Sequence, residues 1–247
     1  MKPVPCRACP LRSMPLFMTH SDEEIGLIES LKKEQVVFRA DTAVIHEGQA
    51  DGPLYTLLAG WAFRYKTLSD GRRQILNFLL AGDFIGVQQK MTEATVHGVQ
   101  ALTDVALCVF RRDALWELHR TAPTLGFGVT WLTAHEEAIV DDTLLSVGRR
   151  SAMERIATLL VMLYKRAAAL DTEGDLVARG VPFPLTQLHI ADALGLSLVH
   201  TNKTLRKLEA LGLHRIEDGR LRLLDVRALS RLADLYGDGR PSPRPLI

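Results

Sequence analysis

Two sets of residues have types and spacings that could do chemistry. Near the start, Cys6-Arg7-Ala8-Cys9-Pro10 holds a Cys-x-x-Cys pair, and the remaining cysteine, Cys108, lies far along the chain. Three cysteines, an odd number, argue against a disulfide framework and for free or liganding thiols. Such a pair can bind zinc with a histidine such as His20, or be redox-active. Cys108, inside the apolar run Val105–Phe110, also reads as a small hydrophobe. Near the other end, Val199, Asn202, Lys203 and Arg206 recur at helical spacing. They set an apolar contact, an amide and two cations on one stripe. That combination suits the edges of DNA bases: a thymine methyl, an adenine, and guanine or phosphate. Most polar helix stripes are merely solvated, so the surrounding elements must decide.

Around the stripe those elements fall in order. Thr186 caps a helix over Gln187–Leu194, with Leu188, Ala191 and Leu194 on its buried side. Gly195 supplies the tight turn, and Ser197 caps a second helix over Leu198–Leu211. Leu198, Thr201, Leu205 and Leu208 form its inward face, opposite the stripe. His200 and Lys207 flank the stripe within reach of a nucleic-acid backbone, and Thr186 and Ser197 can present N–H groups to phosphates. After Gly212-Leu213, residues 214–223 read as a hairpin with an Asp218-Gly219 turn, carrying Arg215, Arg220 and Arg222 as phosphate contacts. Cap, glycine turn, second cap, cationic stripe and trailing hairpin predict a winged helix-turn-helix centred on Leu185–Leu213, whose partner is double-stranded DNA.

The cysteines belong to a different architecture. Residues 1–20 form a Cys-containing arm. Ser21 and Glu24 make a capping box for a helix to about Lys33. From Val36 to Phe110, short apolar runs alternate with Gly48, Gly60, Gly71 and Gly82. Strand-like pieces at Leu54–Leu58, Trp61–Tyr65, Ile75–Leu79 and Val105–Phe110 suggest a jelly-roll β-barrel over 21–120. Residues 36–110 contain no paired His/carboxylate metal motif and no nucleophile triad, so the chain does not read as an enzyme. Pro123 opens a long helix to about Val147, giving a 121–148 segment; Glu136, Glu137, Asp141 and Asp142 crowd acid onto it. That acid is either solvated or, if the helix pairs with a second copy, self-repelling. A further helix starts at Ser151 within a 149–236 unit, Gly174–Pro184 is a loop, and the Pro/Gly-rich 237–247 tail is expected to be disordered. The fold class is α+β.

With 30 Lys+Arg against 29 Asp+Glu, the charge neither supports nor opposes a nucleic-acid partner, which needs only local positive charge. No apolar run reaches the roughly 18 residues of a membrane helix, and the N-terminus has no signal-peptide pattern. The expected location is the cytoplasm.

On Glu47-Gly48 through Leu54-Tyr55, Leu58-Ala59-Gly60, Asp70-Gly71-Arg72, Gly82-Asp83-Phe84-Ile85-Gly86 and Ile190–Ser197, the chain resembles the Crp/Fnr family of transcription regulators. It is more similar to the fumarate-nitrate regulator branch than to the cyclic-nucleotide receptors. The resemblance implies a cyclic-nucleotide-binding-like barrel, a dimerisation helix and a winged helix-turn-helix. It also implies a homodimer, a palindromic operator, contact with RNA polymerase, and a barrel that senses a redox, oxygen or small-molecule signal. Cyclic-nucleotide binders follow Gly-Asp-Phe-Ile-Gly with a Glu and then an Arg-Ser or Arg-Thr pair. Here the chain reads Val87-Gln88-Gln89-Lys90 and Thr95-Val96-His97-Gly98, so no cyclic nucleotide is expected. A cyclic-nucleotide-responsive regulator and a vestigial sensor without effector are the alternatives. The fumarate-nitrate branch holds a 4Fe–4S cluster on four cysteines; Cys6, Cys9 and Cys108 correspond to three, and Pro15 stands where the fourth is expected. A three-cysteine iron–sulfur site completed by His20, Asp22 or an external ligand stays open. That branch reads DNA with Glu, Ser and Arg where this chain has Val199, Asn202 and Lys203, which implies a different operator.

Overall fold

The structure, a computed structural model, describes residues 3–50, 52–87, 94–235 and 243–247. It divides into two compact units. The first comprises Met1–Lys66, Phe78–Ile139 and Pro241–Ile247; the second comprises Thr67–Asn77 and Val140–Arg240.

In the first unit the arm makes two 3₁₀ turns, Cys6–Ala8 and Pro10–Ser13. Helix α1 (Asp22–Leu31) starts on the expected capping box: the Ser21 hydroxyl accepts from the Glu24 N–H, and the Glu24 carboxylate accepts from the Ser21 N–H. The helix stops at Leu31, two residues short of expectation, because Lys32 already begins β1 (Lys32–Phe38). The other strands are β2 (Ala43–Ile45), β3 (Leu54–Ala59), β4 (Ala62–Thr67), β5 (Arg73–Leu79), β6 (Phe84–Ile85), β7 (Gly98–Ala101) and β8 (Val105–Phe110). They form two four-stranded sheets, β1-β8-β3-β6 and β2-β7-β4-β5, of which Arg73–Asn77 of β5 groups with the second unit. This is the anticipated jelly-roll.

Leu57, Phe63, Val99 and Leu107 are fully enclosed within it. The glycine rhythm is turn geometry, and at Gly60 it is also close packing: φ is +90°, and a Cβ there would lie 2.2 Å from the Asp104 carbonyl. Four strands escaped the sequence reading. β2, β6 and β7 are two to four residues long. β1 opens Lys-Lys-Glu-Gln, a charged pattern that an edge strand tolerates.

Helices α2 (Ala114–Thr121) and α3 (Pro123–Arg149) follow. The boundary between the units falls inside α3, after Ile139, rather than at its end. In the second unit α4 (Ala152–Ala168) buries Ile156, Leu160 and Leu163. The stretch expected to be a loop contains α5 (Leu176–Arg179) and β9 (Val181–Pro182), which adds a third strand to the wing sheet. Then come α6 (Gln187–Leu194), α7 (Leu198–Ala210), β10 (His214–Glu217), β11 (Arg220–Leu223) and α8 (Val226–Leu232).

The tail differs from expectation. Residues 237–242 lie outside the described residues, but Pro243–Ile247 are ordered, and Arg244, Leu246 and Ile247 are buried in the first unit. Aliphatic and cationic side chains at its end find partners that composition alone does not reveal.

Candidate nucleic-acid interface

The helix-turn-helix forms by local rules. The Thr186 hydroxyl accepts from the His189 N–H, and the Thr186 N–H donates to His189 Nδ1 at 3.2 Å, so histidine takes the place of the usual Glu or Gln in a capping box. Gly195 ends α6 in the left-handed region at φ 62°. Ser197 caps α7, its hydroxyl accepting from the His200 N–H.

Burial then sorts the faces. Thr201, Thr204, Leu205 and Leu208 point inward on α7, and Ile190, Ala191, Ala193 and Leu194 on α6. Two expectations are corrected. Leu198 is 49% exposed and Leu188 is 51% exposed. Leu198 sits in the first turn of α7 at one margin of the inward stripe, and Thr204, at the other margin, is buried instead. On α6, Ile190 takes the role given to Leu188.

The reading stripe faces outward. Val199 is 80% exposed, Lys203, Arg206, His200 and Lys207 are exposed, and Asn202 is half-buried. Leu198, Val199, Asn202, Lys203, Arg206 and Gln187 line one shallow concavity. Gln187 was not anticipated. Its Oε1 accepts from Asn202 Nδ2 at 2.7 Å, which ties the amide of α7 to the start of α6. Its exposed place just after a cap was the available signal.

The wing is the expected hairpin, with Asp218 and Gly219 both at positive φ. Its arginines differ in environment. Arg215 is exposed. The Arg220 guanidinium donates to the carbonyls of Arg179 (2.6 Å) and Gly180 (2.7 Å), clamping the α5–β9 turn. Arg222 pairs with Glu217 at 3.3 Å.

The first unit brings the cysteines to one neighbourhood. Burial raises the Cys6 and Cys108 thiols; the nearby Lys32 ammonium opposes this at both, and Cys108 feels Cys9 as well as the cation. Lys32, which also donates to the Val4 carbonyl at 2.8 Å, is a neighbour the sequence did not suggest. His20 instead sits 3.3 Å from Arg12 Nη1, and the Asp22 side chain is 88% exposed. Among the described residues, no group of three or more His, Cys, Asp or Glu side chains is arranged to hold a metal ion.

Nor is Glu136 part of an exposed acidic face. It is 7% exposed and pairs at 3.3 Å with Arg64, itself 5% exposed. Burial lowers the Arg64 pKa, and Glu136 and Asp83 oppose that shift. The neighbouring acids Glu137, Asp141 and Asp142 do face solvent.

A jelly-roll unit and a winged helix-turn-helix with an outward cationic stripe define a class: a regulator that reads DNA with one unit while the other is available for sensing. Family models agree, one described as a cyclic nucleotide-binding domain matching residues 35–122 and one as a Crp-like helix-turn-helix domain matching 154–232. The chain belongs to the Crp/Fnr family of DNA-binding transcription regulators. It is 30% identical over 241 residues to the transcriptional activator protein FnrL of Cereibacter sphaeroides, covering 98% of this chain and 95% of that protein. It is 31% identical to the nitrogen fixation regulation protein FixK of Bradyrhizobium diazoefficiens, over 92% of this chain and 93% of the relative. The solved structure of FixK2 from Bradyrhizobium japonicum superposes with a TM-score of 0.70 at 28% identity, covering 83% of this chain and 98% of that one. These relatives are named as regulators rather than enzymes.

Proposed function

We propose that this regulator reads a palindromic operator as a homodimer, with Val199, Asn202, Lys203 and Arg206 of α7 facing base edges. His200, Lys207, Thr186, Ser197 and Arg215 meet the backbone; Arg220 and Arg222 support the wing and reach phosphate from its flank. The carrying observation is the concavity of α7. A valine that is 80% exposed lies beside an amide and two cations, a mixture suited to a base edge rather than to water.

Dimerisation is supported by α3, where Phe127 (69%) and Leu144 (70%) are exposed. Ala134, Ala138 and Asp141 are exposed at intervals that keep one seam outward. By the resemblance, the operator-bound dimer meets RNA polymerase in the cytoplasm; no described helix is long and apolar enough to cross a membrane.

For the signal, Cys6, Cys9 and Cys108 are the residues that would hold three corners of an iron–sulfur cluster. With Lys32 among them, and with no fourth ligand beside them among the described residues, these side chains do not fit such a group. A redox signal would then be received by the thiols themselves, through half-buried Cys9, the more accessible of the Cys-x-x-Cys pair, since burial holds Cys6 and Cys108 in the less reactive thiol form. A gel shift on genomic fragments across a salt series, under oxidising and reducing conditions, tests both parts. Salt-sensitive, sequence-selective shifts that change with redox state support the reading. Binding that ignores redox state leaves the DNA surface and removes the thiol signal.

A further inference from the structure

The last described residues fold back onto the first unit. The Arg244 N–H donates to the Leu16 carbonyl at 2.8 Å and the Met18 N–H to the Arg244 carbonyl at 2.9 Å, forming a parallel bridge with Phe17. The Arg244 guanidinium donates from Nη1 to Asp83 Oδ1 and from Nη2 to the Ala81 carbonyl, each at 2.7 Å. It also lies 5.1 Å from the centre of the Phe17 ring, within cation–π range. Further along, Leu246 and Ile247 are buried, and Ile247 joins Leu54, Phe84, Phe110, Leu125, Val129 and Leu132. The Thr56 hydroxyl donates to the Ile247 carbonyl oxygen.

The surrounding residues are shaped for this segment. With the segment in place Asp83 is 2% exposed and Thr56 4%, so an acceptor and a donor meet it inside the unit. Asp83 is itself fixed, its Oδ2 accepting from the Leu80 N–H at 2.7 Å. Two glycines make room. A Cβ on Gly82 would fall 2.3 Å from the Phe17 ring and 2.8 Å from Arg244 Nη2, and one on Gly128 would come 3.1 Å from the Pro245 ring. A buried arginine is costly unless paired and hydrogen-bonded, so a tail lying here without specific recognition would leave Arg244 in water.

We propose that the jelly-roll unit carries a peptide-binding site for a short Arg-Pro-aliphatic-aliphatic segment, and that Pro243–Ile247 of this same chain is its built-in ligand. Asp83, the Ala81 carbonyl and the Phe17 ring read the guanidinium. The apolar residues of β3, β6 and α3 take the final isoleucine, the leucine before it is buried as well, and Thr56 fixes the backbone. The site therefore accepts, in trans, a peptide of the same chemistry once its own segment is removed. This reading is independent of the DNA surface and of the cysteines.

Two measurements test it. In the unaltered full chain, hydrogen exchange should show the amides of Met18 and Arg244 protected. In the full-chain Arg244→Ala variant, exchange at Met18 should quicken by about tenfold or more while α7 is unaffected. The second uses a fluorescently labelled Pro-Arg-Pro-Leu-Ile peptide and a chain lacking residues 243–247. The peptide should bind the shortened chain saturably and the full chain much less. Replacing the peptide's Arg by Ala, or Asp83→Asn in the shortened chain, should weaken binding by about tenfold or more. Exchange at Met18 and Arg244 at free-peptide rates overturns the proposal, as does Arg244→Ala leaving Met18 unchanged. So does equal binding to full and shortened chains, or indifference to the peptide's arginine. If the shortened chain does not fold, the exchange data on the full chain decide.

Discussion

Arg64 and Arg206 are the same residue put to opposite uses. Arg64 is 5% exposed inside the jelly-roll unit and is held by Glu136, whereas Arg206 is exposed on α7 beside a valine that is 80% exposed. In the first unit, charge is enclosed with its counter-charge and serves the fold. In the second, it faces water on a surface whose other members are an amide and an apolar group, and it is available to a partner. Burial separates an arginine enclosed with its partner from one open to a ligand, and the difference can be broken deliberately.

The largest effect is expected inside the jelly-roll. Glu136→Ala strands Arg64 without its carboxylate and should cost about 3–5 kcal/mol of stability, seen as a clear fall in melting temperature. Arg64→Met combined with Glu136→Leu should recover most of that loss, since both charges leave together. If Glu136→Ala melts like the parent, the pair is not structural.

Next comes a pH effect in the same unit. Burial, and the nearby Arg64 and Lys66 cations, lower the His97 pKa from 6.5 to about 4. Between these pH values the unfolded chain binds a proton that the folded chain refuses. Stability should therefore fall as pH drops from about 6.5 to about 4, by no more than about 3 kcal/mol, with no further loss from this group below that. Denaturant titrations at a series of pH values should show the slope, and His97→Gln should flatten it.

On the α7 side, effects should appear in binding and not in melting. Asn202→Ala should cost about 1–3 kcal/mol at a preferred site and relax the choice of one base. Competition gel shifts with base-substituted sites would show this. The smallest expected effect crosses the divide: Ser197→Ala removes the α7 cap and should lower stability by about 1 kcal/mol, and DNA binding should weaken slightly as the fraying first turn loosens the N–H groups that meet phosphate.

These two regions were not equally legible in the sequence. The caps at Thr186 and Ser197, the Gly195 turn and the Asp218-Gly219 hairpin are short-range features, and residue order alone locates them. The stripe follows from helical periodicity, which also locates Thr201, Leu205 and Leu208 but misassigns Leu198, because periodicity does not register where a helix first meets its core. The jelly-roll's enclosed charges were hidden. Arg64 meets Glu136, and Asp83 meets Arg244, across separations no local rule spans. Glu136 looked like one of four surface acids, and Arg244 like part of a structureless tail, because burial depends on partners brought by the fold. The cysteines lie between these cases: their convergence follows from the resemblance, while Lys32 in their midst depends on β1, an edge strand masked by its own charge.

The central claim, that α7 is the DNA-reading surface, is tested most directly by the salt dependence of DNA binding. The full chain should be compared with its Lys203→Ala/Arg206→Ala variant after both are shown to melt alike. The account predicts weaker binding to every fragment and a log–log salt slope for the dimer shallower by up to about 4, about one for each cation lost from the two subunits. Unchanged affinity and an unchanged slope would contradict it.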